Sequence, residues 1–203
     1  AIRSRGLGDV YKRQPWNYPI SMLTRKLGPA LAAGCTLVLK PAESTPLCAM
    51  AVFKILEEAG LPAGVANLVT ASDPKPIGEV FCTHPAVRKL TFTGSTAVGK
   101  HLAQACAPQL KRVSMELGGH APFIVYDDAD PVHAAKGVSL VKFLNTGQAC
   151  ISPNRIFVQR RILDPFLETL QTCVGGMQAG DGMDPVNSIG PLINEAAIEK
   201  VDR

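Results

Sequence analysis

The chain has 203 residues, of which 46% are hydrophobic and 19% charged, a composition typical of a soluble globular protein with one large or two modest cores. Residues 1–14 hold four basic residues and one acidic residue, so this short segment supplies most of the formal net charge of +4. The remainder has no basic stripe, which argues against a nucleic-acid partner. No apolar run approaches the ~20 residues that cross a bilayer, so no membrane association is expected.

Cysteine spacing bears on the compartment and on metal binding. The six cysteines form no Cys-x-x-Cys pair and no Cys/His ligand pattern; they are Cys35, Cys48, Cys82, Cys106, Cys150 and Cys173. We therefore predict reduced thiols, a cytoplasmic setting and no metal site. An organelle matrix stays open as an alternative compartment.

Both ends of the chain suggest that it is part of a longer protein. It begins with alanine, and its last residues continue an amphipathic helical pattern without a stop signal. Residues 1–14 show neither helical nor strand periodicity. We expect them to be a disordered tail that is not native to the domain.

From Pro15 onwards, strand patterns alternate with helical patterns. Thr45 and Pro46 are predicted as the N-cap and first residue of one helix. Helices are predicted over residues 21–33, 45–59, 77–82, 95–107, 131–144 and 163–177, and strands over 36–39, 66–70, 89–93, 112–116, 122–126 and 155–159. This alternation predicts an α/β fold with parallel βαβ units. A boundary near Gly118–Gly119 would separate a domain over 15–118 from one over 119–203.

Several chemically useful residues fall where parallel sheets bind ligands, beyond the carboxyl ends of strands. Lys40, the Gly94–Ser95 turn and Glu116 all follow or end predicted strands. Cys150 ends a polar, glycine-containing turn after an apolar-patterned helix, a setting that suits a reactive thiolate. We expect Glu116 and Cys150 to face one cleft beside a nucleotide.

Residues 94–100 fit the pattern Gly-x-x-x-x-Gly-Lys, which is most of a phosphate-binding P-loop. His101 stands where Ser or Thr would hold magnesium. A nucleotide-binding protein of the P-loop kind is therefore an alternative to an enzyme that holds a dinucleotide pyrophosphate at the same helix N-terminus.

Six stretches together resemble the aldehyde dehydrogenase superfamily. They occur in the family's order over about 135 residues: 15–19 (Pro-Trp-Asn-Tyr-Pro), 40–46 (Lys-Pro-Ala-Glu-Ser-Thr-Pro), 60–67 (Gly-Leu-Pro-Ala-Gly-Val-Ala-Asn), 92–95 (Phe-Thr-Gly-Ser), 115–119 (Met-Glu-Leu-Gly-Gly) and 147–150 (Gly-Gln-Ala-Cys). The resemblance is expected to span Pro15 to Arg203. It implies a truncated Rossmann-like NAD(P)-binding domain over 15–118 and the start of an α/β catalytic domain over 119–203.

The resemblance also implies catalytic roles. Cys150 would attack an aldehyde, and the Asn17 amide with the Cys150 N–H would bind the oxyanion. Glu116, expected in a half-buried cleft, would activate the water that hydrolyses the thioester. The CoA-acylating branch of the family lacks this base, so a free acid product is expected. A non-catalytic relative is the other alternative, and the presence of all three residues argues against it.

Cofactor contacts follow from the same resemblance. Lys40 and Glu43 would contact the adenine-side ribose; the carboxylate favours NAD, and the lysine leaves NADP possible. Gly94 and Ser95 would contact the pyrophosphate or the nicotinamide side, and Gly99 would permit close helix packing. Trp16 and Leu117 would contact the cofactor through backbone groups.

Within the superfamily, the chain looks most similar to succinate-semialdehyde dehydrogenases, as judged from residues 69–78, 106–108, 123–130 and 190–194. Succinate semialdehyde is the expected substrate, with another ω-oxo acid or an uncharged aldehyde as alternatives. Arg155 is a candidate for binding a distal carboxylate. Residues 151 and 152 are Ile and Ser, so the two-cysteine redox switch of some such enzymes is expected to be absent. The resemblance further implies a homodimer or homotetramer, and predicts that these 203 residues are inactive alone.

Overall fold

The computed structural model describes residues 9–13 and 15–202 of the chain. These residues form two compact units, with the boundary between Gly118 and Gly119. Assigning cofactor binding to the first unit and catalysis to the second stays a prediction. Within the described residues, none of the helices combines the length and apolar composition that crossing a membrane would require.

The first unit is built on a five-stranded sheet in the order β3-β2-β1-β4-β5. Every neighbouring pair of strands is parallel. The strands are β1 Asp9–Arg13, β2 Leu37–Lys40, β3 Ala66–Leu68, β4 Val87–Gly94 and β5 Arg112–Leu117. The predicted α/β class and its parallel strand pairing are therefore confirmed.

Four helices connect these strands, as right-handed βαβ crossovers require of a parallel sheet. They are α1 Pro19–Ala32, α2 Pro46–Glu58, α3 Lys75–Thr83 and α4 Thr96–Cys106. Gly34 and Gly60 follow α1 and α2 with φ of 69° and 80°, the left-handed conformation that glycine adopts without strain. Thr45 does precede α2, but its side chain makes no capping hydrogen bond, so the predicted side-chain cap is wrong.

Two clusters of apolar side chains hold the first unit together. One joins α1 and α2 to β2 and contains Leu23, Leu27, Ala30, Leu37, Leu39 and Ala49. The other joins α3 and α4 to β4 and contains Phe81, Cys82, Val87, Leu90, Phe92, Leu102 and Cys106. The helices thereby hold the carboxyl ends of β2 and β4 in place.

The second unit contains one parallel pair of strands, β6 Pro122–Val125 and β7 Arg155–Val158. Helices α5 Pro131–Phe143 and α6 Leu163–Gly175 pack around a core of Val125, Ala135, Val138 and Phe166, and α7 Glu195–Val201 follows. The Asp130 side chain caps α5 by accepting a hydrogen bond from the His133 N–H at 2.9 Å. Helix α5 leads directly into the turn that carries Cys150.

Strand β1 corrects one expectation about the start of the chain. The prediction of a disordered tail over residues 1–14 is wrong for Asp9–Arg13, because their backbone pairs with β2 on one side and with β4 on the other. The rest of that segment lies outside the described residues. Its non-native origin stays a prediction.

Candidate functional site

Cys150 is a free and exposed cysteine in the second unit. Helix α5 ends at Phe143, and Asn145, Thr146 and Gly147 follow with φ of 52°, 60° and 72°. Three consecutive left-handed residues are costly for non-glycine side chains, at about 1–2 kcal/mol each. A strained turn that ends in an exposed thiol is typical of a functional segment, and strain of this kind persists only where the surroundings hold it.

Side chains on both flanks of the turn supply that support. The Ser152 hydroxyl donates to the main-chain oxygen of Lys142 at 2.9 Å. The Thr146 hydroxyl donates to the Gly190 carbonyl at 3.2 Å, and Gln148 Oε1 accepts from the Ile193 N–H at 3.0 Å. None of these contacts follows from the sequence pattern, since they join residues up to 45 positions apart.

Glu116 lies in β5, one residue before the strand ends, and pairs in register with Thr93 of β4. It is exposed, so the expectation of a half-buried carboxylate is wrong for this chain. The physical reason is that β5 forms an edge of the five-stranded sheet. Glu116 and Cys150 belong to different units, and their juxtaposition at one cleft stays a prediction.

Asn17 and Trp16 lie half-buried in the bend that precedes α1. Asn17 Oδ1 accepts a hydrogen bond from the Tyr18 N–H at 3.1 Å. This contact fixes which end of the amide faces its own backbone. An oxyanion would therefore be bound by the Nδ2 donors at the other end of the amide.

Lys40 and Glu43, predicted to share a ribose contact, bind each other in the structure. The Lys40 side chain is 1% exposed, and its Nζ donates to Glu43 Oε1 at 2.5 Å and to the Pro41 carbonyl at 2.6 Å. The ion pair compensates the ammonium that β2 brings into the interior. It also holds the Glu43 carboxylate just beyond the carboxyl end of that strand.

A cavity of about 270 Å³ opens beside Glu43. Its walls are residues that follow β2 and β3, namely Pro41, Ala42, Pro46, Thr70, Ala71 and Ser72. Apart from Glu43, none of these wall residues was predicted from the sequence as a site residue. The rule that ligands bind beyond the carboxyl ends of parallel strands could have found them, because Pro41 and Thr70 follow the two strands closely.

Gly94 ends β4, and Ser95 caps α4 by accepting from the Val98 N–H at 3.4 Å. Leu117 packs directly against Gly99, where an added Cβ would lie 2.5 Å from Leu117 Cδ2. The prediction that Gly99 permits close packing thus has a geometric basis. The Gly99 N–H donates to the Ser95 carbonyl within the helix at 3.0 Å, whereas the P-loop alternative would direct it to a phosphate.

Two side-chain hydroxyl groups lie near the carboxyl ends of strands in the first unit. Among the described residues, Thr45 Oγ1 and Thr93 Oγ1 are buried hydroxyl oxygens without a hydrogen-bond partner. Thr45 follows β2 and Thr93 lies near the end of β4. Both are therefore on the side of the sheet formed by the carboxyl ends of the strands, where the cavity opens. Buried polar atoms are rarely left unpaired, and a bound ligand would complete them.

In the second unit, a cavity of about 410 Å³ lies between β7 and α6, and its walls include Phe157, Phe166 and Leu170. The lining has no titratable group and therefore offers no chemistry. Arg155, the candidate for binding a distal carboxylate, is exposed at the start of β7. Its role stays a prediction.

Comparison with known proteins agrees with this geometry. The profile described as the aldehyde dehydrogenase family matches residues 2–203, so the expectation that the resemblance begins at Pro15 is wrong. The chain is 53% identical to the "Probable succinate-semialdehyde dehydrogenase [NADP(+)]" of Sinorhizobium fredii, over 97% of this chain and 40% of the relative. It is 52% identical to the 3-sulfolactaldehyde dehydrogenase of Pseudomonas putida (99% and 41%) and 49% identical to the glutarate-semialdehyde dehydrogenase of Pseudomonas aeruginosa (93% and 39%).

Solved structures show the same relationship. The succinate-semialdehyde dehydrogenase from Burkholderia pseudomallei superposes with a TM-score of 0.91 at 49% identity, covering 97% of this chain and 40% of that one. An aldehyde dehydrogenase from Pseudomonas syringae, solved with NAD+ and octanal, gives 0.88 at 39% identity, covering 96% and 40%. The chain spans about two fifths of the length of the relatives that it matches. On the match of nearly all its residues, the chain belongs to the aldehyde dehydrogenase family.

Proposed function

We propose that the protein to which this chain belongs oxidises an aldehyde to a carboxylic acid with NAD(P)+. The observation that carries this proposal is the exposed Cys150 thiol at the end of a strained and multiply supported turn, in a chain that matches the family over residues 2–203. The overall reaction consumes an aldehyde, water and NAD(P)+, and it yields the acid, NAD(P)H and a proton.

In the first step, the Cys150 thiolate adds to the aldehyde carbon, and the carbonyl π electrons move onto oxygen. The Asn17 Nδ2 group and the Cys150 main-chain N–H donate hydrogen bonds to this oxyanion. Removing one such donor typically costs about 3–4 kcal/mol of transition-state stabilisation. The product of this step is a hemithioacetal attached to Cys150.

Bound NAD(P)+ supplies the acceptor for the hydride that leaves the hemithioacetal carbon. The first unit offers residues to hold it at the carboxyl edge of the sheet. Lys40 and Glu43 would contact the adenine-side ribose, and Gly94 and Ser95, at the N-terminus of α4, would contact the pyrophosphate or the nicotinamide side. Trp16 and Leu117 would offer backbone groups. Gly99 lets α4 pack closely on Leu117 and so fixes the position of the helix N-terminus.

Loss of the hydride leaves a thioester on Cys150. Glu116 then accepts a proton from water, whose oxygen attacks the thioester carbonyl; the C–S bond breaks, and the carboxylic acid and the Cys150 thiolate are released, with the proton left on Glu116. The exposure of Glu116 in the described chain gives water access to the carboxylate. A free acid, rather than an acyl-CoA, is the proposed product.

For the substrate, we propose succinate semialdehyde, with another ω-oxo acid as the second candidate and an uncharged aldehyde as the third. The names of the relatives support a short aldehyde with an anionic group at its far end, since they include succinate semialdehyde, glutarate semialdehyde and 3-sulfolactaldehyde. Arg155 is the proposed partner of that distal anion.

For the cofactor, we propose NAD, with NADP as the alternative. The Glu43 carboxylate would accept hydrogen bonds from ribose hydroxyls and would repel a 2′-phosphate. The Sinorhizobium relative is named for NADP(+), so Glu43 is the residue that decides the question experimentally. Glu43→Gln should raise kcat/KM for NADP relative to NAD; an unchanged ratio would remove Glu43 from the cofactor site.

The protein of the full reading frame that contains this chain provides the decisive assay. Aldehyde-dependent NADH formation should be abolished in Cys150→Ala and retained in Cys173→Ala, a half-buried cysteine of the same unit. Normal turnover in Cys150→Ala would overturn the mechanism. A panel of succinate semialdehyde, glutarate semialdehyde and an uncharged aldehyde ranks the substrates by kcat/KM.

Three further points complete the proposal. These 203 residues alone are proposed to be inactive, and turnover by them would contradict this. The proposed setting is the cytoplasm or an organelle matrix, which agrees with six free cysteines. The full-length protein is proposed to be a homodimer or homotetramer, which light scattering would test.

A further inference from the structure

The segment that carries Cys150 is hydrogen-bonded to Lys142, a residue of α5. Lys142 lies in the last turn of this helix, where carbonyl groups have no partner within the helix. The Ser152 hydroxyl, in a residue that is 4% exposed, donates to the Lys142 oxygen at 2.9 Å. A side chain two residues after Cys150 thus caps the helix that precedes it.

The Lys142 side chain also contacts the chain after Ser152. Its Nζ donates to Asn154 Oδ1 at 2.8 Å, and the Asn154 N–H donates to the His120 carbonyl at 3.0 Å. His120 precedes β6, so the chain after Cys150 is tied both to α5 and to the start of a strand. The residues between Lys142 and Ser152 therefore form a closed loop around Cys150.

Gly147, in the left-handed part of the loop, lies next to the hydrogen bond between Ser152 and Lys142. At Gly147, which has a φ of 72°, an added Cβ would lie 3.3 Å from the Lys142 oxygen and 3.9 Å from Ser152 Oγ. The left-handed conformations of Asn145 and Thr146 cost free energy that local contacts must offset. The Ser152–Lys142 bond is half-buried and is placed where it opposes relaxation of the turn.

We propose that Ser152 is a positioning residue for Cys150: its hydroxyl holds the left-handed turn closed and so fixes where the thiol is presented. This inference rests on the proposed role of Cys150 as the nucleophile. It depends on a hydroxyl donor at position 152. Threonine retains the donor, cysteine offers a weak S–H donor, and alanine offers none.

Hydrogen exchange of the 203-residue chain tests the positional claim. The reporters are the Gly147 and Gln148 amides, which donate to Leu144 and Asn145 within the turn at 3.1 and 3.0 Å. Ser152→Ala should accelerate their exchange by ~5-fold, the equivalent of one lost hydrogen bond. Ser152→Thr should restore slow exchange.

Ser139→Ala is the matched control, because Ser139 is also 4% exposed but lies inside α5, before the residues of the left-handed turn. It should leave the two reporter amides unchanged. Equal acceleration across the whole second unit in Ser152→Ala would indicate general destabilisation and would overturn the proposal. If the alanine variant does not fold, Ser152→Val, which has the shape of threonine but no donor, takes its place, and slow exchange in that variant would also overturn it.

The rate of Cys150 alkylation by iodoacetamide, mapped by mass spectrometry as a function of pH, links the turn to the thiol. A loosened turn presents the thiol in many orientations, so the plateau rate at Cys150 should rise by ~5-fold in Ser152→Ala and return in Ser152→Thr, as for the exchange. The rate at Cys173 should stay constant. An unchanged rate at Cys150 would overturn the positioning role.

Neither measurement uses turnover. If Cys150→Ala retained aldehyde oxidation, the proposed function would fail while the effect of Ser152 on the turn would still be measured. If Ser152→Ala left exchange and alkylation unchanged, the positioning role alone would fail.

Discussion

Lys40 and Glu43 form an ion pair with a 2.5 Å separation in which the lysine is 1% exposed and the glutamate side chain 32% exposed. A second pair with the same i,i+3 spacing, Lys54–Glu57, has side chains that are 63% and 74% exposed. Water screens the second pair and hydrates both of its partners, whereas the buried Lys40 ammonium donates to the Glu43 carboxylate and the Pro41 carbonyl. The two pairs should therefore differ strongly in their contribution to stability.

Glu43→Gln should lower the free energy of unfolding by about 1–3 kcal/mol, because it leaves a buried ammonium without its counter-charge. The matched variant Glu57→Gln should change it by less than about 0.5 kcal/mol. Urea denaturation of the 203-residue chain measures both values. Equal effects of the two substitutions would show that the burial of Lys40 has no energetic consequence.

Gly99 and Gly137 are both inside helices but have different surroundings. Alanine at Gly137, with nothing within 4 Å of the added Cβ, should stabilise the chain by about 0.5–1 kcal/mol through helix propensity. Alanine at Gly99 should give no gain, because Leu117 Cδ2 would lie 2.5 Å away and must move. Thermal unfolding of the two variants checks this; an equal gain in both would contradict the close packing.

Burial raises the pKa of the Cys82 thiol from its ordinary value of 9.0 to about 12, and the neighbouring Cys106 adds to the effect. Between these two pH values the unfolded chain releases a proton that the native chain keeps, so native stability falls as the pH rises. The unfolding free energy of the native sequence minus that of Cys82→Ala should fall by up to about 1 kcal/mol for each pH unit above pH 9.

Lys111 also contributes to the pH dependence of stability. Desolvation lowers the pKa of Lys111, which makes stability rise with pH and opposes the Cys82 effect. Both proteins in the comparison keep the desolvation of this lysine, so the difference between them reports the Cys82 thiol together with its electrostatic interaction with Lys111. Chemical denaturation at several pH values above pH 9 measures it, and parallel curves for the two proteins would contradict the raised pKa.

Cys150 has Ile151 and Ser152 after it rather than a second cysteine. Peroxide should therefore oxidise Cys150 without forming an intramolecular disulfide, because no thiol follows it in the supported turn. Peptide mapping after oxidation tests this. Recovery of the Cys150 thiol by dithiothreitol through an intramolecular disulfide would contradict the prediction.

Local sequence patterns predicted the helices and most strands of the fold because the signals are local. Prolines at the helix starts, glycines at the stops and apolar periodicity placed α1 and α2 within a few residues of their observed bounds. Strand β1 was missed, since Asp9–Arg13 has only one aliphatic residue and no alternation. Its central place comes from backbone pairing with residues about 27 and 79 positions away, which no local pattern encodes.

The candidate site likewise contains some features that the sequence predicted and others that it could not predict. Sequence motifs identified Cys150, Glu116 and Asn17 as chemically suited residues, and their roles stay predictions. The pairing of Lys40 with Glu43 could not be predicted, since both were expected to face a ligand. The cavity beside Glu43 was missed because its walls come from the ends of two strands, and most of them are small or apolar residues without a chemical signature.

By itself, the sequence determined the α/β alternation, the family and the identity of the reactive side chains, because periodicity, turn residues and motif order are properties of the chain. Tertiary structure alone decided the strand order, the burial of Lys40, the exposure of Glu116 and the support of the Cys150 turn by Ser152. These depend on contacts between residues far apart in the chain, whose free energies are realised only when the sheet and helices have packed.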